Sequence, residues 1–550
     1  MKKKVLSLLL VSAMVASLAA CGNAENPAGS TAGGSGSTPT ESTGGSTGGD
    51  ASNTGSGSGE EGGAYDLQSI SIIVDGTLNL EADSDEMKAF EEAWESYVGV
   101  DLTISKLDHS GYADALARAL AGSGNRPDVV LMSAQMYAQY AAFEGFLWDM
   151  TEAYENADFH SRLTKTAVNE NNKVNGRLYG FSPAIGNGCV TYVKKAWLDA
   201  VGIDINNVKT YEDFYNMLLA FKNNDPDGDG TDSTYGIIAA GLISGEAPWT
   251  NYLPEFWQDA YPALYQNADG VWVDGFQSEE TKAALERLRQ AWNDGLIDPD
   301  TTTASTKIAR EKWFSADQNI SSGVFSYWAG TWMQTLTNNL DKNGVDSEIV
   351  MLPRIAEMPG FLDRNAPVWV ILDDGDGNND REQAIFDAFF DSMMDGDKVQ
   401  TLWTYGVEDM HWSTHADTIV LNADDPDKRS ETPHEEGEFH MLPTQTNPNQ
   451  LYSKNHIDNL LAVAPLTNGF GVLEDMVQES NSFFNQYAIA APGVPSCETY
   501  SSSGQTITDA VNVAVVDIVT NGVDYDTAMQ TYLNSCGSVL DQVLAELNAQ

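Results

Sequence analysis

The chain has 550 residues with 80 Asp and Glu against 29 Lys and Arg, a net charge of −51. That charge repels a polyphosphate backbone and excludes nucleic-acid binding. Hydrophobic residues at 42% and aromatics at 10% are enough for a packed core, and the length exceeds one ordinary domain, so at least two lobes are expected. With so few cationic side chains, a polyanionic ligand needs a dedicated basic pocket, which favours neutral ligands.

The first residues read as an address. Lys2, Lys3 and Lys4 precede the apolar stretch Val5–Ala16, which is too short to span a bilayer and has the form of a secretion signal. It ends in Leu18-Ala19-Ala20-Cys21, which resembles the bacterial lipobox. The resemblance implies a signal peptide over 1–20, cleaved before Cys21, and lipid attached to that cysteine. An ordinary signal followed by an incidental cysteine is the alternative. Residues 21–64 are mostly Gly, Ser and Thr and cannot bury enough surface to fold, so they read as a flexible tether. The body, 65–550, is expected outside the cytoplasm, held to the cell membrane by the lipid.

In the body, Ile70–Val74 reads as a strand, Glu86–Tyr97 as a helix, Val100–Ile104 as a strand, Tyr112–Leu120 as a helix and Val129–Met132 as a buried strand. Alternating strands and helices predict an α/β fold with parallel neighbours. Val190–Val193 reads as a further strand, Lys195–Val201 as a helix closed by Gly202, and Thr210 as the N-cap of a helix running to Phe221.

That helix delivers the chain into Asn224-Asp225-Pro226-Asp227-Gly228-Asp229-Gly230-Thr231. Carboxylates at alternate positions of a tight loop turn toward one point, as a Ca²⁺ ion coordinated by six to eight oxygens requires. Gly228 and Gly230 allow the backbone to wrap, and the Thr231 carbonyl is the next donor. An EF-hand would end in Glu at the twelfth position, where Gly236 stands. A solvated acidic turn is the alternative. Further on come an amphipathic helix over Ser278–Asp294, the stretch Gly323–Trp332, Val368–Ile371 and Leu402–Asp409.

The order of these segments resembles the extracellular solute-binding protein family 1, the lipoprotein receptors of bacterial ABC importers for sugars and oligosaccharides. The likeness covers roughly residues 68 to 548. It implies a two-lobe periplasmic-binding-protein-like α/β fold with a ligand cleft between lobes. It also implies crossings near 190–200, 325–335 and 365–375, hinge closure, a monomer, and the importer's membrane subunits as partners. The acidic loop resembles the calcium loop of the large oligosaccharide-binding members, including the alginate-binding proteins. Carried over, the ligands of a structural calcium are Asp225, Asp227, Asp229 and the Thr231 carbonyl. The family's next carboxylate is replaced by Ser233, so Ser233, Thr234 or water completes the shell.

A sugar cleft needs aromatic faces and planar hydrogen-bonding groups. The candidates are Trp249 and Trp257 in a Pro-containing irregular stretch, Trp328 and Trp332 around Gly330, and Trp403, Tyr405 and Trp412 near a glycine turn. Tyr137, beyond the third strand, and Asn187, between glycines, join them. Core packing is the alternative for each aromatic. Trp94, Trp197 and Trp292 sit on apolar helical faces and read as core. A second acidic run, Asp373–Asp380, is either a second cation site or a strand-to-helix loop capped by Asn379 or Asp380. Cys497 and Cys536 are candidates for a disulfide, with unpaired buried thiols as the alternative, and Cys189 is left over. No nucleophile elbow, phosphate loop or zincin helix is present, and the spacing of His411, His415, His434 and His440 does not supply one, so no enzyme is expected. The rival readings are a secreted calcium-dependent polysaccharide-degrading enzyme and a receptor for peptides or other small solutes.

Overall fold

The computed structural model describes residues 65–75, 83–108, 112–121, 126–143, 145–163, 167–183, 187–228, 230, 234–240, 242, 252–315, 321–364, 366–416, 420–422, 425–430, 435–437, 440–441 and 475–549. The lipidation candidate Cys21 and the tether lie outside them. The chain divides into a unit of residues 1–66 and a unit of 67–550 that carries the fold.

The second unit opens with β1 (Ser69–Asp75), α1 (Asp85–Val98), β2 (Asp101–Leu107), α2 (Tyr112–Ala121), β3 (Val129–Met132) and α3 (Ala134–Ala141). Local signals set these elements. The Ser84 hydroxyl accepts from Met87 N and starts α1, and Gly99 at φ 81° ends it. Met87, Phe90 and Trp94, three and four apart, are its buried stripe. The chain then enters β4 (Cys189–Lys194), α4 (Tyr211–Asn224), β5 (Thr234–Ile238), the hairpin of β6 (Leu264–Gln266) and β7 (Trp272–Asp274), and α5 (Glu279–Asn293). Next come α6 (Thr306–Phe314), β8 (Ser321–Trp328), α7 (Thr331–Lys342), β9 (Ile349–Met351), β10 (Phe361–Asp363) and β11 (Val368–Ile371). It continues through α8 (Asp380–Phe386) and α9 (Lys398–Tyr405), and finishes with α10 (Asp475–Tyr487), α11 (Glu498–Val519) and α12 (Tyr525–Leu547).

The first lobe is built on a sheet of order β11-β3-β1-β2. β1 runs parallel to β2 and β3, while β11 joins antiparallel to β3, Val370 opposite Val130. Successive side chains take opposite faces. Ile70, Ile72, Val129, Leu131, Trp369 and Ile371 pack on α1 and α9 in one core; Val130, Met132, Val368 and Val370 pack on α2 and α3 in another. β3 is apolar throughout because both its faces are covered.

The second lobe has a sheet of order β5-β8-β4-β9, with β4 antiparallel to β8 and β9 and β5 parallel to β8. α4 starts in a capping box between Thr210 and Asp213. Helices α5, α11 and α12 extend the same core through Leu285, Leu288, Val511, Val515, Tyr532 and Leu540.

The chain passes between the lobes twice within the described residues. Phe181 still bridges to Trp369 of the first sheet, and β4 begins at Cys189 in the second. The return runs from β10 into β11. Residues 325–335 remain in the second lobe, running from β8 into α7, because β8 pairs with β4 and β5. The two passing segments touch at Gly188, where a Cβ would lie 2.3 Å from the Leu362 carbonyl and 2.4 Å from the Phe484 ring; only glycine lets the backbones approach so closely. Cys189, Cys497 and Cys536 are free buried thiols, so the candidate Cys497–Cys536 disulfide is absent. Among the described residues no helix is long and apolar enough to cross a membrane.

Candidate functional site

A groove of about 720 Å³ opens between parts of both lobes. The first lobe contributes the start of α3 and the turn 171–176; the second contributes the β6–β7 hairpin and the end of α12, with 493–496 between them. Carboxamides dominate its polar lining: Asn171, Asn172, Asn175, Gln266 and Asn548. Such groups both donate and accept, as a poly-hydroxylated ligand requires. Lys173, the cation of the lining, is already paired with Glu170 at 3.0 Å and Glu155 at 3.6 Å.

Three of these side chains have defined roles. Tyr137 on α3 lines the groove but is 3% exposed. Its hydroxyl donates to the Asn172 carbonyl at 2.7 Å and accepts from Tyr179 N at 3.2 Å. Burial pushes the phenol well above its ordinary pKa, so it stays neutral. Tyr137 therefore shapes the wall and braces the 171–176 turn. Asn172 is 8% exposed, and its Nδ2 meets no acceptor among the described residues. A buried donor without an acceptor is costly, and in a groove it marks a place for a ligand oxygen. Trp272, half-buried on β7, is held by Asn548, which accepts from its backbone N at 2.8 Å and donates to its carbonyl at 3.0 Å. The sequence reading missed Asn172 and Trp272. The signal for the first was the carboxamide cluster Asn169-Glu170-Asn171-Asn172, and for the second a tryptophan beside the turn Asn267–Gly270.

The other candidates are dispersed. Asn187, Trp328 and Arg364 meet at the crossings, apart from the groove lining. The Arg364 guanidinium lies 4.0 Å from the Trp328 ring centre. Asn187 accepts from Arg364 N through its carbonyl at 3.1 Å and caps its own neighbour Gly188 N at 2.8 Å. Trp332 packs edge-on against Tyr327 at 4.8 Å, with Arg310 over its face at 4.8 Å.

Four expected cleft aromatics are core residues instead. Trp257 and Trp403 are each 1% exposed; Trp403 is enclosed by Phe90, Phe389 and Trp369. Tyr405 is equally buried, and Trp412 donates its indole N–H to the Gly406 carbonyl at 2.8 Å. Each fills volume next to an irregular segment, which made it look exposed in sequence. Trp249 lies outside the described residues.

The acidic loop follows α4. Asp225 closes the helix at φ 46°, and its Oδ2 accepts from Gly230 N at 2.9 Å. Gly228 and Gly230 adopt φ 72° and 74°, a wrap that a cation loop and an acidic turn share. Asp227 lies in the field of Lys194 on β4, whose ammonium burial pushes down to about 8 against the pull of that carboxylate. The donor set is all oxygen and suits a hard cation. Asp229, Thr231 and Ser233 lie outside the described residues, and Thr234 opens β5.

Comparison with known proteins gives this architecture its place. The lipoprotein LipO of Bacillus subtilis (strain 168) is 28% identical over 229 residues, 40% of this chain and 44% of that protein. The polygalacturonan/rhamnogalacturonan-binding protein YtcQ of the same organism is 24% identical over 341 residues, 59% of this chain and 63% of that protein. The matched regions therefore span less than two thirds of either relative. An HMO binding ABC-transporter associated solute-binding protein from Bifidobacterium longum infantis superposes with a TM-score of 0.58 at 15% identity, over 88% of this chain and 98% of that one. That likeness establishes the two-lobe fold. The bacterial extracellular solute-binding protein model matches residues 79–385, more than half of the chain, and the chain belongs to that family.

Proposed function

We propose that the chain is a lipid-anchored, extracytoplasmic substrate-binding protein of an ABC importer, which captures an oligosaccharide between its lobes and carries one structural calcium ion. The observation that carries the reading is the carboxamide-lined groove between the lobes, with the buried Asn172 amide lacking an acceptor and Trp272 beside it. Carboxamides match sugar hydroxyls, and an indole covers a sugar's C–H face. The names of the two relatives support the class: one is a lipoprotein and the other a polygalacturonan/rhamnogalacturonan-binding protein. Lipid on Cys21 and a tether over 21–64 would hold the body at the cell membrane, beside the importer's membrane subunits.

The test is a thermal-shift screen of the mature body against neutral and uronate oligosaccharides, followed by chromatography of the recovered glycan. One glycan class is expected to raise the melting temperature and to be recovered intact. Asn172→Ala and Trp272→Ala are expected to weaken binding by about 1–3 kcal/mol each, from a lost hydrogen bond and a lost ring contact. No shift with any glycan would overturn the sugar reading; a shortened glycan would make the protein an enzyme.

Asp225, Asp227 and Asp229, with the Thr231 carbonyl and Ser233 or Thr234, would hold the calcium. Because the ion binds the folded chain alone, free calcium at a hundred times its Kd adds about 2.7 kcal/mol of stability. Chelation is expected to lower the melting temperature of the parent, and Asp225→Ala to shrink that response. A melting temperature indifferent to chelator reduces the loop to an acidic turn.

A further inference from the structure

The loop joining β11 to α8 holds a second group of oxygen donors, in the other lobe from the Asp225 loop. The geometry points to a divalent-cation site formed by Asp373, Asp374 and Glu382. One carboxylate oxygen from each lies within 4.8 Å of the others.

Glu382 distinguishes this group from an ordinary acidic turn. It stands in the first turn of α8 and is 1% exposed. Its Oε1 accepts from Asp374 N at 3.1 Å, while its Oε2 is buried and meets no donor among the described residues. A buried carboxylate oxygen within a group of three acids is unfavourable while charged, and a bound cation relieves it.

Arg381, next to Glu382 in sequence, is paired with Asp128. Arg126 lies nearby, but its guanidinium donates to the Asp373 backbone carbonyl, at 3.3 Å, and stacks 5.0 Å from the Phe146 ring centre. Among the described residues, the single charge of Arg126 leaves the three acids with an excess of negative charge. The frame is already fixed. Asp373 N donates to the Phe146 carbonyl at 3.1 Å, and Leu372 N to the Asp128 carbonyl at 3.0 Å. The Oδ1 atoms of Asp373 and Asp374 accept from Gly375 N at 2.7 Å and Asp376 N at 2.8 Å. A Ca²⁺ ion accepts such a mixed set, with water completing its shell on the exposed Asp374 side. Bound there, it ties the end of β11 to the first turn of α8.

The test counts calcium ions bound to the full mature chain by equilibrium dialysis after chelator stripping. Asp374→Asn, at an exposed side chain, and Glu382→Gln, at the buried one, are each expected to bind one equivalent fewer than the parent. Asp225→Ala reads the α4 loop separately, and its combination with Asp374→Asn is expected to show both losses. The proposal is overturned if Asp374→Asn, folded by circular dichroism, binds as many equivalents as the parent, whatever Asp225→Ala does.

Discussion

Lys312→Met is expected to lower the unfolding free energy by about 3–5 kcal/mol. The Lys312 ammonium lies 2.9 and 2.8 Å from the two oxygens of Asp298 and 2.7 Å from Asp300. Asp298 is 1% exposed. Burial works against the lysine's charge, but the hydrogen bonds to Asp298 and Asp300 outweigh it and raise the ammonium's pKa. Methionine fills the same stem volume and leaves Asp298 as a buried charge without its partner, the costly case. Asp298 also caps the turn Pro299–Thr302 by accepting from Asp300 N at 2.8 Å. The double variant Lys312→Met with Asp298→Asn is therefore expected to recover much of the loss, since asparagine keeps the cap without the charge. Urea midpoints at constant slope give the comparison. A loss below about 1 kcal/mol for Lys312→Met would place the pair with weak surface bridges.

The opposite sign is expected at Glu255. This residue opens the short helix Pro254–Trp257 inside the second-lobe core and is 1% exposed. Burial pushes its carboxyl up to about 7, partly offset by a hydrogen bond with Thr191. Its Oε2 meets no donor among the described residues. The folded chain thus holds this proton more tightly than the unfolded chain, where the group titrates near its ordinary 4.5. Stability from this group is complete below that value and is lost as pH rises through about 7. At pH 8, Glu255→Gln is expected to be more stable than the parent by up to about 3 kcal/mol, each pH unit of separation being worth about 1.4 kcal/mol. The gain should shrink steadily on acidification and vanish near pH 4.5. Urea unfolding of both proteins at several pH values tests this; parallel curves would show that Glu255 carries no such penalty.

What could be read from the sequence was local. Strand β3 announced itself by four consecutive apolar residues, α1 by the spacing of Met87, Phe90 and Trp94, and α4 by Thr210 ahead of Asp213. Caps and periodicity act within a few residues, so a single pass finds them. The groove was less legible because its walls come from segments far apart. Asn172 and Trp272 become neighbours of one space only when two lobes dock around the crossings. Tryptophans illustrate the same limit. Trp403 and Trp272 look alike as residues, yet one is sealed between Phe90 and Phe389 and the other stands half-open on a hairpin. That difference is tertiary.

The antiparallel insertion of β11 beside β3 bears on how the polypeptide is made. Synthesis delivers Val129–Met132 long before Val368–Ile371, and in the sheet order β11-β3-β1-β2 the missing strand leaves β3 as the edge. A nascent chain would thus present a fully apolar strand with an unpaired row of amides and carbonyls, which is a template for association with a neighbour. The whole second-lobe sheet is translated in that interval. The first-lobe sheet therefore cannot be completed ahead of the second-lobe sheet, and a nascent-chain chaperone would have most to protect before β11 arrives.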